Sequence, residues 1–149
     1  MQGGDIRATA GVHPDAIRSV ERIYELWDAA LGAKDVEAAA AIYAEDTRLE
    51  SPLVRHLLGS ERGIIEGRDR LRDFLHIVFE RTPTSRRRHR TGFFTDGRKL
   101  IWEYPRETPD GDQMDFVESM EIENGLIQRH SVYCGWFGVK LLEGDRYHR

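Results

Sequence analysis

Beyond Thr82-Pro83 the apolar residues of this chain stop recurring at steps of three and four and begin to alternate. A period of 3.6 puts one side of a helix in the core, whereas a period of 2 does the same for a strand. The chain is therefore divided into a helical first half and a sheet-forming second half. The alternation predicts strands over 86–95, 98–107, 113–123 and 126–139. They are joined at Asp96-Gly97, Pro109-Asp110-Gly111 and Asn124-Gly125, and Asp-Gly and Asn-Gly pairs accept the positive φ that tight hairpins need.

In the first half, Ile17, Val20, Tyr24, Trp27 and Leu31 fall on one face of a helix that opens near Pro14 and stops at Gly32. A shorter helix is predicted from Asp35, a good N-cap, to Tyr43 through the Ala38–Ala41 run. Thr47 to Glu50 reads as a strand closed by Ser51-Pro52, and 53–66 as a loop that packs down through Leu57-Leu58 and Ile64-Ile65. Gly67 opens a third helix, GRDRLRDFLHIVFERTP, with Leu71, Phe74, Leu75 and Val78 inward. Three helices followed by an antiparallel meander give an α+β domain, with the helices on the concave side of one curved sheet. Such an arrangement leaves a pocket between the layers. Residues 1–12 read as a flexible tail, 13–142 as a single domain and 143–149 as a second tail.

One residue conflicts with the strand pattern. In FVESMEIENGLIQRH, residues 116–130, Phe116, Glu118, Met120 and Ile122 share a face, three of them apolar. An ionised carboxylate buried there without a partner would cost several kcal/mol. It must be neutralised or paired, and both solutions suit proton transfer. Arg129 and His130 on the next strand are the candidate partners. Alternation leaves the side of His130 open, because Ile127/Tyr133 and Val132/Trp136 are both burial-prone. Tyr24, Trp27, Tyr43, Trp102 and Tyr104 are candidates for an aromatic pocket wall, together with Met120, and Ser51 is a candidate hydrogen-bond donor to a ligand. Such a pocket suits a small, flat, hydrophobic organic ligand.

Several classes are set aside by what the chain lacks. Its net charge is −4, whereas phosphate backbones require a basic surface; no nucleic-acid partner is expected. Arg86-Arg87-Arg88-His89-Arg90 is the local exception, read as the solvated face of a strand or an anion site. No apolar run reaches the length of a membrane span, and no secretory leader is evident, so a cytoplasmic protein with no membrane partner is expected. Cys134 is the one cysteine and reads as a small buried hydrophobe. The histidines show no metal-ligand spacing such as H-E-x-x-H, no phosphate loop or nucleophile elbow occurs, and no metal or cofactor is expected.

The phrases IYELWDAALGAKDVEAAAAIYAEDTRLESP, GRDRLRDFL and VESMEIENGLIQRHSVYCGW, within residues 14–137, resemble the SnoaL-like branch of the nuclear transport factor 2-like superfamily. The resemblance implies a cystatin-like cone with a mixed, mostly antiparallel sheet, and a homodimer formed through the sheet face. It brings in ketosteroid isomerases, polyketide cyclases, epoxide hydrolases and dehydratases, so it specifies fold more than reaction. Ketosteroid isomerases carry an oxyanion-hole tyrosine where this chain has Trp27, and an aspartate base where it has Ser51. They carry an acid on the penultimate strand where it has Glu118. SnoaL-type cyclases work with a single acid/base carboxylate, a part Glu118 could fill with His130 as its partner. The expectation is a cofactor-free isomerase, cyclase or lyase acting on a hydrophobic carbonyl compound, or else a binding or dimeric accessory module of the same fold.

Overall fold

The computed structural model describes residues 5–8, 10–81, 92–108 and 110–146. Strand β1 (Asp5–Ala8) is followed by helices α1 (Pro14–Ala33) and α2 (Val36–Ala41), strand β2 (Tyr43–Glu50), helix α3 (Pro52–Leu58) and strand β3 (Ile64–Glu66). Helix α4 (Arg68–Arg81), strands β4 (Gly92–Thr95), β5 (Lys99–Glu107), β6 (Gln113–Glu123) and β7 (Leu126–Cys134), and helix α5 (Trp136–Glu143) complete the chain. The strands form one open sheet in the order β1-β4-β5-β6-β7-β2-β3. Only β1–β4 and β2–β7 run parallel, so the sheet is mixed and mostly antiparallel, with the helices packed on its inner face.

Local chemistry explains the boundaries. His13 caps α1 by accepting the Asp15 amide, with Pro14 in the first turn. The helix runs through the expected stop at Gly32 and ends at Lys34, which takes the left-handed conformation (φ 55°) usually left to glycine. Asp35 caps α2 by accepting the Ala38 amide at 2.9 Å. That helix ends at Ala41, and Tyr43, expected within it, begins β2 instead. The Asn124-Gly125 turn has positive φ at both residues (52° and 72°), the geometry of a two-residue hairpin loop that follows the twist of its strands.

Four expectations are corrected. Residues 53–66 are not a loop: Ser51 caps α3 and Pro52 opens it, so the signals read as a turn are those of a helix start. The last strand ends at Cys134. Residues 136–143 form α5, which buries Gly138, Leu141 and Leu142 at helical spacing; the uncharged run 136–139 fits either period over so short a stretch. Part of the first tail is a strand, paired in register from Asp5↔Gly92 to Ala8↔Thr95. The second tail is tied down, because Asp145 accepts from His56 of α3 at 2.9 Å and from Arg81 of α4 at 2.6 Å. The Arg86–Arg90 cluster and Thr82-Pro83 lie outside the described residues.

On β6 every second residue from Met114 to Ile122 is buried, Glu118 among them. β7 does not alternate so simply. Its register with β6 shifts between Arg129, opposite Glu121, and Ile127, opposite Ile122, leaving Gln128 as an extra residue. A bulge of this kind inverts the alternation beyond it. Ile127 and His130, three positions apart, are consequently both buried, while Arg129 points out. The buried Thr47 hydroxyl of β2 clasps this bulge, donating to the carbonyls of Ile127 and Gln128 at 3.0 and 3.2 Å.

Candidate functional site

Between the sheet and helices α1, α3 and α4 lies a cavity of about 100 Å³. Its walls are mostly apolar: Leu31 from α1, Leu53 from α3, Phe74, Leu75, Val78 and Phe79 from α4, and Leu49, Phe116 and Val132 from the sheet. Glu118 and His130 face into it, accompanied by Trp27, Tyr43, Ser51, Tyr104 and Arg106.

Glu118 and His130 are 3% and 4% exposed. His130 Nε2 lies 2.6 Å from Glu118 Oε2, and the Tyr104 hydroxyl donates to Glu118 Oε1 at 2.7 Å. On the far side of the imidazole, the Tyr43 hydroxyl is 2.9 Å from His130 Nδ1. Burial, and then the charge of Glu118, push the Tyr43 phenol well above its ordinary range, and a hydrogen bond from Trp27 only partly offsets this. Tyr43 therefore stays protonated.

The direction of each bond follows from the donors available. A carboxylate can only accept, so a neutral His130 presents its one N–H to Glu118 and leaves Nδ1 as the acceptor of the Tyr43 hydroxyl. The imidazole proton then sits on Nε2, aimed at the carboxylate. Tyr43, His130 and Tyr104 thus all donate toward Glu118, which accepts one bond at each oxygen and keeps a further lone pair on each. Such a network satisfies the buried charge and holds one imidazole tautomer.

Of the residues singled out from sequence, Glu118, His130, Trp27, Tyr43, Ser51 and Tyr104 line the cavity, and Tyr24, Trp102 and Met120 do not. Tyr24 and Trp102 point inward but meet each other edge to face at 5.1 Å, with Trp27 at 5.2 Å from Trp102 and Phe93 at 4.9 Å from Tyr24. They form the packed floor beneath the site. Met120 is fully buried opposite His130, one layer below the carboxylate. Ser51 already acts as the cap of α3, its hydroxyl accepting the Leu53 amide at 3.2 Å. Asp115, on the opposite alternation from Glu118, is exposed.

Sequence reasoning missed Arg106 and the α4 wall. Arg106 continues the face of Trp102 and Tyr104 at the next alternate position, so the period-2 pattern already placed it. The inward spacing of Phe74, Leu75 and Val78 on α4 fits a packed core equally well, and only the gap between layers makes them, with Phe79, a wall. Among the described residues no group of three or more His, Cys, Asp or Glu is placed to hold a metal ion. No described helix is long and apolar enough to cross a membrane.

A family model of the SnoaL-like domain matches residues 20–130. Among curated proteins none matches. Solved structures that resemble the chain include a SnoaL-like protein of unknown function from Burkholderia thailandensis, with a TM-score of 0.65 at 12% identity over 79% of this chain and 95% of that one. A candidate ketosteroid isomerase from Kribbella flavida gives 0.61 at 21% identity over 79% and 78%. TerC, co-crystallised with polyporic acid, gives 0.67 at 19% identity over 84% and 98%. At these identities the likeness shows the shared fold.

Proposed function

The chain belongs to the SnoaL-like family, and on that footing we propose that it is a cofactor-free enzyme that moves a proton at a carbon beside a carbonyl group of a hydrophobic substrate. The observation that carries this reading is the placement of Glu118: a carboxylate 3% exposed, at the wall of a mostly apolar cavity and held by two donors. In such surroundings a carboxylate has little water to compete with for a substrate proton.

The step is a proton transfer. Glu118 takes a proton from the substrate carbon, and the C–H electron pair becomes an enolate. Once protonated, Glu118 is a weaker acceptor, which frees the Tyr104 O–H to turn toward the enolate oxygen. Return of the proton at another carbon gives an isomerisation, attack of the enolate on a second carbonyl a cyclisation, and loss of a β-substituent a lyase reaction. His130, fixed by Tyr43, orients the carboxylate throughout.

The test is proton–deuteron exchange of aryl ketones in D2O, followed by NMR. Glu118→Gln should slow enzyme-dependent exchange by about 10²–10⁴-fold, the usual contribution of a positioned acid or base, with circular dichroism unchanged. Equal exchange by the variant removes Glu118 from the chemistry.

A second reading, a binding module without turnover, is favoured by Ser51, whose hydroxyl is engaged in capping α3 at the position where isomerases keep their base. Native mass spectrometry separates the two: an unchanged bound compound supports binding, a converted one supports catalysis.

For assembly, we propose a homodimer through the outer face of the sheet. Phe94, Ile101 and Tyr133 are 57%, 36% and 58% exposed there. Phe94 pairs with Ile101 across β4–β5, and Tyr133 with Val117 across β6–β7. Beside them a row of alternate sign, Lys99, Glu121 and Arg129, crosses three strands, a pattern that a second copy can meet in antiparallel register.

A further inference from the structure

We infer that the cavity selects a substrate bearing an anionic group remote from its reacting carbon, with Arg106 as the residue that receives it; this rests on the proton-transfer reading of Glu118. Arg106 lines the same cavity as Glu118, and among the described residues that do so it is the only lysine or arginine. The strand register fixes its place. Trp102 stands opposite Glu118, Tyr104 opposite Phe116 and Arg106 opposite Met114. Along β5, Arg106 is therefore two inward-facing layers beyond Trp102, the residue opposite Glu118, roughly 14 Å along the strand at about 3.4 Å per residue. Glu118 is buried and Arg106 half-buried, which puts the carboxylate at the deep end and the guanidinium toward the opening.

The wall between these ends is largely aromatic and aliphatic, with Tyr104 and Phe116 stacked at a centroid distance of 5.8 Å. A ligand spanning the cavity meets a proton acceptor at one end, an apolar middle and a fixed cation at the other. A planar guanidinium offers paired donors to a carboxylate or an acidic enol, a match that a neutral ketone does not make. An acid of either kind is thus oriented with its charge outward. Its carbonyl-bearing carbon is directed inward, away from the electrostatic repulsion that Glu118 would exert on a second negative charge.

The test compares 4-acetylbenzoate with its methyl ester, two probes in which an aromatic ring separates an acetyl group with exchangeable hydrogens from a remote end that is charged in one and neutral in the other. Binding is measured by titration calorimetry at low salt and exchange by NMR in D2O. Wild type should bind the acid at least about tenfold more tightly than the ester, the scale of one charge-assisted contact. Arg106→Gln should abolish that preference, and Arg106→Lys should retain part of it, which guards against loss of fold in the first variant. Glu118→Gln should keep the preference while losing exchange. Equal affinity for acid and ester, binding of neither, or a preference that survives in Arg106→Gln overturns the inference. Exchange that survives in Glu118→Gln strikes instead at the catalytic reading.

Discussion

His130 Nε2 lies 2.6 Å from Glu118 Oε2, with both side chains 4% exposed, yet the two residues are not cross-strand partners. His130 stands opposite Met120 and Glu118 opposite Val132, so the bond runs diagonally across the inner face. The pair places an acceptor and a donor where little of either is open to solvent, so removing one leaves the other's hydrogen-bonding group unsatisfied at the full cost of its desolvation.

Glu118→Leu should therefore destabilise the fold by about 1–3 kcal/mol for each donor it strands, because it leaves His130 and the Tyr104 hydroxyl without their acceptor. Combining it with His130→Phe should cost clearly less than the sum of the single changes. Urea unfolding of the four proteins measures the coupling. Strict additivity would mean that the two side chains do not interact.

Thr47→Val removes the hydroxyl that clasps the bulge at Gln128, at a cost of about 1–3 kcal/mol for the buried carbonyls it leaves. Because the bulge decides which way His130 points, the change should also alter the imidazole. ¹⁵N NMR of His130 should report a changed tautomer or hydrogen-bonding state, and an unaltered signal would show that the bulge stands without its clasp.

Burial pushes the Cys134 thiol above its ordinary range. The nucleophile is the thiolate, so alkylation by iodoacetamide at pH 7 should be slower than that of free cysteine. The rate should rise with pH over a higher window than the free thiol's. Labelling as fast as glutathione would place the side chain in water.

The Asp145 carboxyl is held below its usual value of 3.8, first by the hydrogen bond from His56 and further by Arg81. A depressed carboxylate contributes stability that is fully present above the unfolded value and lost as pH falls through the lower folded one. Acidification below about 4 should loosen the attachment of the segment after α5 to α3 and α4. Hydrogen exchange of residues 136–146 should rise there, and Asp145→Asn should show the same rise at neutral pH. A rise in wild type with no effect of the variant would assign the acid response to another group.

Dimerisation through the outer face predicts a mass of two chains by light scattering at micromolar concentration. Tyr133→Glu or Ile101→Lys should shift the protein to one chain without loss of helix or strand signal. A wild-type protein that runs as a single chain removes the proposal.

The sequence by itself determined the α+β class, the amphipathic first and fourth helices, the hairpin turns and the burial of Glu118, because each follows from local spacing and turn chemistry. It also contained, unread, the start of α3 in Ser51-Pro52 and the inward face of Arg106. Tertiary structure alone decided which side of β7 carries His130, since that depends on a bulge of one residue stabilised by Thr47, 80 positions or more away in the chain. Tertiary structure likewise sorted the inward aromatics into cavity wall and floor. Alternation says which face a side chain takes, but not whether the opposing layer has room to touch it; that is why Tyr104 reaches the cavity and Trp102 packs against Tyr24 and Trp27.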